Sequence, residues 1–115
     1  MFSGTPISSF SVKLNKLDDA YGMFKDCSNL STFTSDASLA RNISYMFYNC
    51  YNLEEIHSDF SSATTATYAF YNTPIKEFDC NLSSLTSGDD MFRNCKSLVN
   101  FISFVPEINR AAYMF

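Results

Sequence analysis

The sequence holds no tryptophan, one histidine, three glycines and three prolines. So few backbone breakers, in a chain that is 17% aromatic, make disorder a poor explanation of its many Ser and Asn residues. Basic residues are scarce as well: eight Lys and Arg stand against twelve Asp and Glu, giving a net charge of -4 and a pI near 4.7. That balance lacks the basic footprint that collects phosphates, so no direct nucleic-acid partner is expected. Long apolar runs are missing too. The densest, FISFV at 101–105, falls far short of the roughly 18 residues a membrane helix needs, so no membrane insertion is expected. The opening MFSGTPISSF lacks a basic region followed by an apolar run of about 7 to 15 residues, so no secretory signal is read there. With His57 alone, no paired nucleophile and no glycine-rich phosphate loop, no enzyme and no cofactor is expected.

What the sequence does have is a repeat. Met-Phe stands at Met1-Phe2, Met23-Phe24, Met46-Phe47, Met91-Phe92 and Met114-Phe115, with Ala69-Phe70 filling the one gap. The chain therefore divides into a single array of five units, 1–22, 23–45, 46–68, 69–90 and 91–113, and the start of a sixth. Three units carry Cys-x-x-Leu after the Phe (Cys27 to Leu30, Cys50 to Leu53, Cys95 to Leu98). The two shorter ones carry Thr-Pro-Ile (Thr5 to Ile7, Thr73 to Ile75), one residue less, with Pro shaping a tightened turn.

Apolar or small residues then fall into columns. Phe10, Phe33, Ile56, Phe78 and Phe101 form one; Leu14, Ala37, Phe60, Leu82 and Val105 form another. Leu17, Ala40, Ala63, Leu85 and Ile108 follow, then Ala20, Ile43, Ala66, Gly88 and Ala111. A globular domain has no reason to repeat such a register, whereas a solenoid buries each coil's inward side chains on its neighbours. Segments such as LSTFTS and LEEIHS are rich in β-formers and predict strands of about three to five residues centred on the Phe or Ile. Segments such as ARNISYMFYNC have apolar residues three and four apart and predict one or two helical turns. The closing AAYMF reads as the start of a further unit. Without a polar cap at either end, the array predicts an excised fragment, end-to-end self-association or another chain covering the open ends.

The pattern Met/Ala-Phe-x-x-Cys-x-x-Leu-x-x-Ile/Phe at a 23-residue period resembles the BspA-like, Treponema-type leucine-rich repeats of bacterial surface proteins, some protist surface proteins and phage proteins. The resemblance covers the whole chain. It implies an α/β repeat solenoid: a curved, right-handed coil with short parallel strands on the concave face, short helices on the convex face, and a role in adhesion or protein binding rather than catalysis.

Strand alternation turns Ser9, Ser11, Thr32, Thr34, Glu55, His57, Glu77, Asp79, Asn100 and Ile102 outward, as a two-column grid that can vary without harming the core. This is the expected binding surface, with the convex side or the solenoid ends as the alternative; it is hydroxyl-rich at one end and acidic at its centre, suited to a basic or cationic patch on a partner. His57 beside Glu55, Glu77 and Asp79 has the composition of a metal or acid–base site, but an open polar face does not exclude water, so a solvated surface is the reading and no metal is expected. In the Cys27, Cys50, Cys95 column, rungs about 4.8 Å apart permit a disulfide. Thr5 and Thr73 replace Cys there, which suits a buried, reduced filler better than a bridge or metal site. Cys80 belongs to another column, with Val12, Ser35, Ser58 and Ser103. Asn29, Asn42 and Asn81 open Asn-x-Ser triplets, which arise by chance in a chain of this composition. The first functional reading is a non-catalytic module that binds a protein or glycan as part of a surface or phage adhesin. The second is a small acidic intracellular inhibitor, phage-encoded, that blocks a basic groove of a nucleic-acid enzyme.

Overall fold

The computed structural model describes residues 1–11, 13–14, 16–103, 105, 108 and 110–115. Five strands recur at the positions of the first apolar column: β1 (Ser9–Phe10), β2 (Thr32–Phe33), β3 (Glu55–Ile56), β4 (Glu77–Phe78) and β5 (Asn100–Phe101). All pairing is parallel. Ser9 aligns with Thr32 and Thr32 with Glu55, while Glu77 aligns with Asn100. On another side of the coil Asp19, Asn42, Thr65, Ser87 and Arg110 form a second column of parallel bridges. Each repeat is thus one coil laid on the next.

The strands keep two residues each, fewer than the expected three to five. Just beyond them the chain is drawn into a corner by side chains that capture the backbone two residues on. The Asp36 carboxylate accepts from Ser38 N–H at 2.8 Å, Asp59 from Ser61 at 2.8 Å and Asn81 from Ser83 at 2.9 Å. These Asx turns carry the chain around the corner that follows each of these strands. The ladder also breaks between β3 and β4, so the sheet is split into β1-β2-β3 and β4-β5.

The expected convex helices are absent among the described residues. Around Met46-Phe47 the N–H groups alternate between two kinds of acceptor. Met46, Tyr48 and Cys50 bond to carbonyls three residues back, at 3.0, 3.2 and 3.1 Å. Tyr45, Phe47 and Asn49 bond instead across to Thr67, Ala69 and Tyr71 of the next coil, at 2.9, 2.8 and 2.9 Å. An α-helix needs each N–H for its own i−4 carbonyl, so this lateral bonding excludes it. Left-handed residues at fixed places enforce the pattern: Gly22, Tyr45, Tyr68, Asp90 and Tyr113 just before the Met or Ala, and Gly4, Asp26, Asn49, Asn72 and Asn94 three residues after it. The second set is built from Gly, Asn and Asp, the types that tolerate positive φ best. Apolar spacing of three and four therefore reported a run of tight turns.

The core is two interlocked aromatic columns. Phe2, Phe24, Phe47, Phe70, Phe92 and Phe115 stack in succession at 5.3 to 5.6 Å between ring centres. The strand column meets them edge-on: Phe10 on Phe24 at 4.8 Å, Phe33 on Phe47 at 4.9 Å and Phe78 on Phe92 at 4.9 Å. Ile56 interrupts the strand column, and Phe60, standing where the other coils have Leu, Ala or Val, supplies the missing ring against Phe70 at 6.2 Å. Phe24, Phe33, Phe47, Phe60, Phe70 and Phe78 are fully buried, each worth roughly 1.5–3 kcal/mol of burial. The outer coils are looser: Leu14, Leu17, Val105 and Ile108 are half-buried and Ala111 is exposed.

Cys27, Cys50, Cys80 and Cys95 are free thiols. Three of them donate to the carbonyl of the Phe in the preceding coil: Cys27 to Phe2 at 2.9 Å, Cys50 to Phe24 at 3.1 Å and Cys95 to Phe70 at 2.9 Å. Thr5 and Thr73 occupy the same column but donate to the Phe carbonyl of their own coil, at 2.7 and 2.8 Å. Thiol and hydroxyl are interchangeable there because both satisfy a carbonyl at the coil corner. Val12, which heads the Cys80 column, lies outside the described residues.

Candidate functional site

All ten outward positions lie at the surface. Ser9, Ser11, Thr34, Glu55, His57, Glu77, Asp79, Asn100 and Ile102 are exposed and Thr32 is half-buried. Register places Ser9, Thr32 and Glu55 in one row and Glu77 and Asn100 in its continuation. The structure gathers the acidic subset where the ladder is broken: Glu54, Glu55, Ile56, His57, Glu77 and Asp79 line a hollow of about 300 Å³ between β3 and β4. Ser9, Ser11, Thr32 and Thr34 form a hydroxyl strip on the two coils before it. Asn100 and Ile102 flank it on the fifth coil, where Asn100 Nδ2 donates to Glu77 Oε1 at 3.2 Å.

The hollow has a local cause. Successive strands start 23 residues apart except from β3 to β4, where the step is 22 through Thr73-Pro74-Ile75. In the intact ladder Thr34 N–H bonds to Phe10 O at 3.0 Å, His57 to Phe33 O at 2.8 Å and Ile102 to Phe78 O at 3.0 Å. Among the described residues the matching bond from Asp79 to Ile56 is not formed. The Ile56 carbonyl accepts instead from the Cys80 thiol, at 4.0 Å. The opened rungs carry carboxylates on both walls, and one cation reaches the rim: Lys76 Nζ lies 4.0 Å from Glu54, in an exposed pair of little energetic weight. Such a surface suits an ammonium or guanidinium group of a partner, which would be steered in by the acidic field. Among the described residues no group of three or more His, Cys, Asp and Glu is placed to share a metal ion. No helix among the described residues is long and apolar enough to cross a membrane.

Two features escape sequence reasoning. Glu54 joins the hollow although alternation puts it outside the outward grid, because it sits at the corner where the strand begins. The second is a tyrosine cluster beside the Met-Phe turns. Tyr45 stacks on Tyr68 at 5.2 Å and Tyr48 on Tyr71 at 4.9 Å, and the Tyr68 and Tyr71 rings meet edge-on at 5.4 Å. Lys25 caps one end, 5.5 Å from the Tyr48 ring centre. At the other end Arg93 pairs with Asp90 at 3.1 Å, and the Asp90 charge raises the Tyr68 phenol's pKa. A signal was present in the sequence, since tyrosine stands immediately before and immediately after the Met-Phe or Ala-Phe pair in both central units. With ring faces already covered, this cluster joins coils rather than presenting a free platform.

Parallel strands at a near-constant step, an apolar spine of stacked rings and a variable polar grid are the architecture of a leucine-rich-repeat protein, whose repeats generally serve binding. Residues 1–114 match the family model described as "BspA type Leucine rich repeat region (6 copies)", and the chain belongs to that family. Leucine-rich repeats serve protein–protein interaction. No curated protein and no solved structure matches the chain.

Proposed function

We propose that this chain is a non-catalytic binding module of a surface or phage adhesin, and that its strand face recognises a protein partner presenting Lys or Arg. The observation that carries this reading is the acidic hollow between β3 and β4, with Glu54, Glu55, Glu77 and Asp79 around an opened ladder. His57 within the hollow, and Ser9, Ser11, Thr32, Thr34, Asn100 and Ile102 on either side of it, supply further contacts that set register. A displayed random-peptide library selected against the chain tests it. The expected winners carry Lys or Arg and lose binding in about 0.5 M salt, where screening falls to a few ångströms. They also fail on the Glu55→Gln, Glu77→Gln, Asp79→Asn variant. Winners without basic residues, or equal binding to the variant, would refute the reading.

The same hollow supports the reading as an acidic inhibitor of a nucleic-acid enzyme. A DNA oligonucleotide that displaces the chain from its isolated partner favours the inhibitor. Undisturbed binding favours the adhesin.

A further inference from the structure

The one-residue deletion that opens the strand ladder also leaves a second hollow, around the corner from the first. The coils on either side place two residues between the corner Cys and the Leu, Tyr51-Asn52 and Lys96-Ser97, where the shortened coil places Pro74 alone. The result is an open notch of about 290 Å³, with Pro74 as its floor and Tyr51, Asn72, Asn94, Lys96 and Ser97 around it.

The walls are chemically unlike the rest of this acidic chain. No carboxylate lines the notch, and Lys96 is its one charge. Tyr51 is 56% exposed and, among the described residues, is the tyrosine with neither an aromatic nor a cation partner; the other six are all stacked, tilted or capped. Its ring face is therefore free to receive a ligand. The Asn72 and Asn94 amides are anchored by one N–H each, to Asn49 Oδ1 at 2.8 Å and to the Tyr71 hydroxyl at 3.3 Å, which fixes their remaining polar atoms at the rim. An apolar ring and a proline for a C–H face, amides and a Ser hydroxyl for alcohol groups, and a single cation describe a site for one sugar ring bearing a carboxylate.

We propose that the Tyr51–Lys96 notch binds an acidic monosaccharide unit of the hexuronic type: the pyranose lies against Tyr51 and Pro74, its hydroxyls meet Asn72, Asn94 and Ser97, and its carboxylate pairs with Lys96. The notch is independent of the strand-face hollow, whose carboxylates would repel such a ligand. Affinity is of about millimolar order, as fits a ligand of few atoms on an open site.

Amide-shift titration with methyl glucuronide tests the proposal. Saturable shifts are expected at residues 51, 72, 73 and 94–97, with binding about tenfold weaker for methyl glucoside and for Lys96→Gln, and abolished in Tyr51→Ala. Both substitutions are at exposed side chains, so the fold is retained. The Glu55→Gln, Glu77→Gln, Asp79→Asn variant should bind the glucuronide unchanged, which separates this site from the strand face. Shifts mapping elsewhere, an equal response to acetate, tighter binding of a tripeptide through its terminal carboxylate, or indifference to Lys96→Gln would each overturn it.

Discussion

The Ile56 carbonyl faces the Cys80 thiol at 4.0 Å, in the place where every other neighbouring pair of described strands has a backbone N–H at 2.8 to 3.0 Å. One missing residue in the Thr73-Pro74-Ile75 coil converts a ladder bond into a gap. The gap predicts unequal amide exchange. His57 and Ile102, bonded into intact rungs, should exchange at least about a hundredfold more slowly than Asp79 in native-state hydrogen exchange. Equal protection at Asp79 and His57 would mean that the ladder is continuous.

The inward and outward sets should respond differently to truncation. Phe33→Ala and Ile56→Ala remove fully or nearly fully buried side chains and should each cost about 2 to 5 kcal/mol in urea unfolding. Glu55→Ala and Asp79→Ala, both exposed, should stay within about 0.5 kcal/mol of the parent. A similar loss in both sets would contradict the register.

Burial controls the thiols. Desolvation, reinforced by Cys27, pushes the Cys50 pKa up to about 12, and desolvation, reinforced by Asp79 and Asp59, does the same for Cys80. A thiol whose folded pKa is raised stabilises the fold fully below its unfolded value near 9. That stability is lost as the pH rises toward 12, since the unfolded chain releases its protons first. Unfolding midpoints should therefore hold steady up to about pH 8 and fall from about pH 9 upward. Replacing Cys50 and Cys80 by Ala should flatten that decline while lowering stability at neutral pH. Thiol reagents at pH 7.5 should label both residues only after denaturant is added.

Asn49 combines a conformational and a hydrogen-bonding role. Its φ is 60°, its Nδ2 donates to Asp26 Oδ1 at 3.0 Å, and its Oδ1 accepts from Asn72 Nδ2 at 2.8 Å. Asn49→Ala forces Cβ strain without the ladder bonds and should cost about 1 to 3 kcal/mol by denaturant titration. Asn49→Gly, which relieves the strain but still loses the bonds, should cost less.

The family and the strand column were legible because Met-Phe and the inward Phe recur at nearly fixed spacing, and each must pack on its own copy in the next coil. Helices were misread because period alone does not say where N–H groups go. Asn49, Asn72 and Asn94, with Tyr45 and Tyr68 at positive φ, turn alternate N–H groups toward the neighbouring coil. The outward grid was legible from alternation, yet the hollow at its centre was not. It depends on how a deletion at Pro74 propagates to a strand several residues later, and that is a property of packing between coils. The same deletion was visible as a shortened unit, so its position, though not its consequence, could be read from Thr73-Pro74-Ile75.

The central claim is that the opened rungs between β3 and β4 form the binding surface. Titrating the labelled chain with the strongest Lys- or Arg-bearing peptide from the display selection, and mapping amide shifts, tests it most directly. The account predicts saturable shifts concentrated at residues 54–57 and 76–79, removed by the Glu55→Gln, Glu77→Gln, Asp79→Asn substitutions. Shifts centred on the Tyr45, Tyr48, Tyr68 and Tyr71 cluster or on the outer coils, with the triple variant binding as well as the parent, would contradict it.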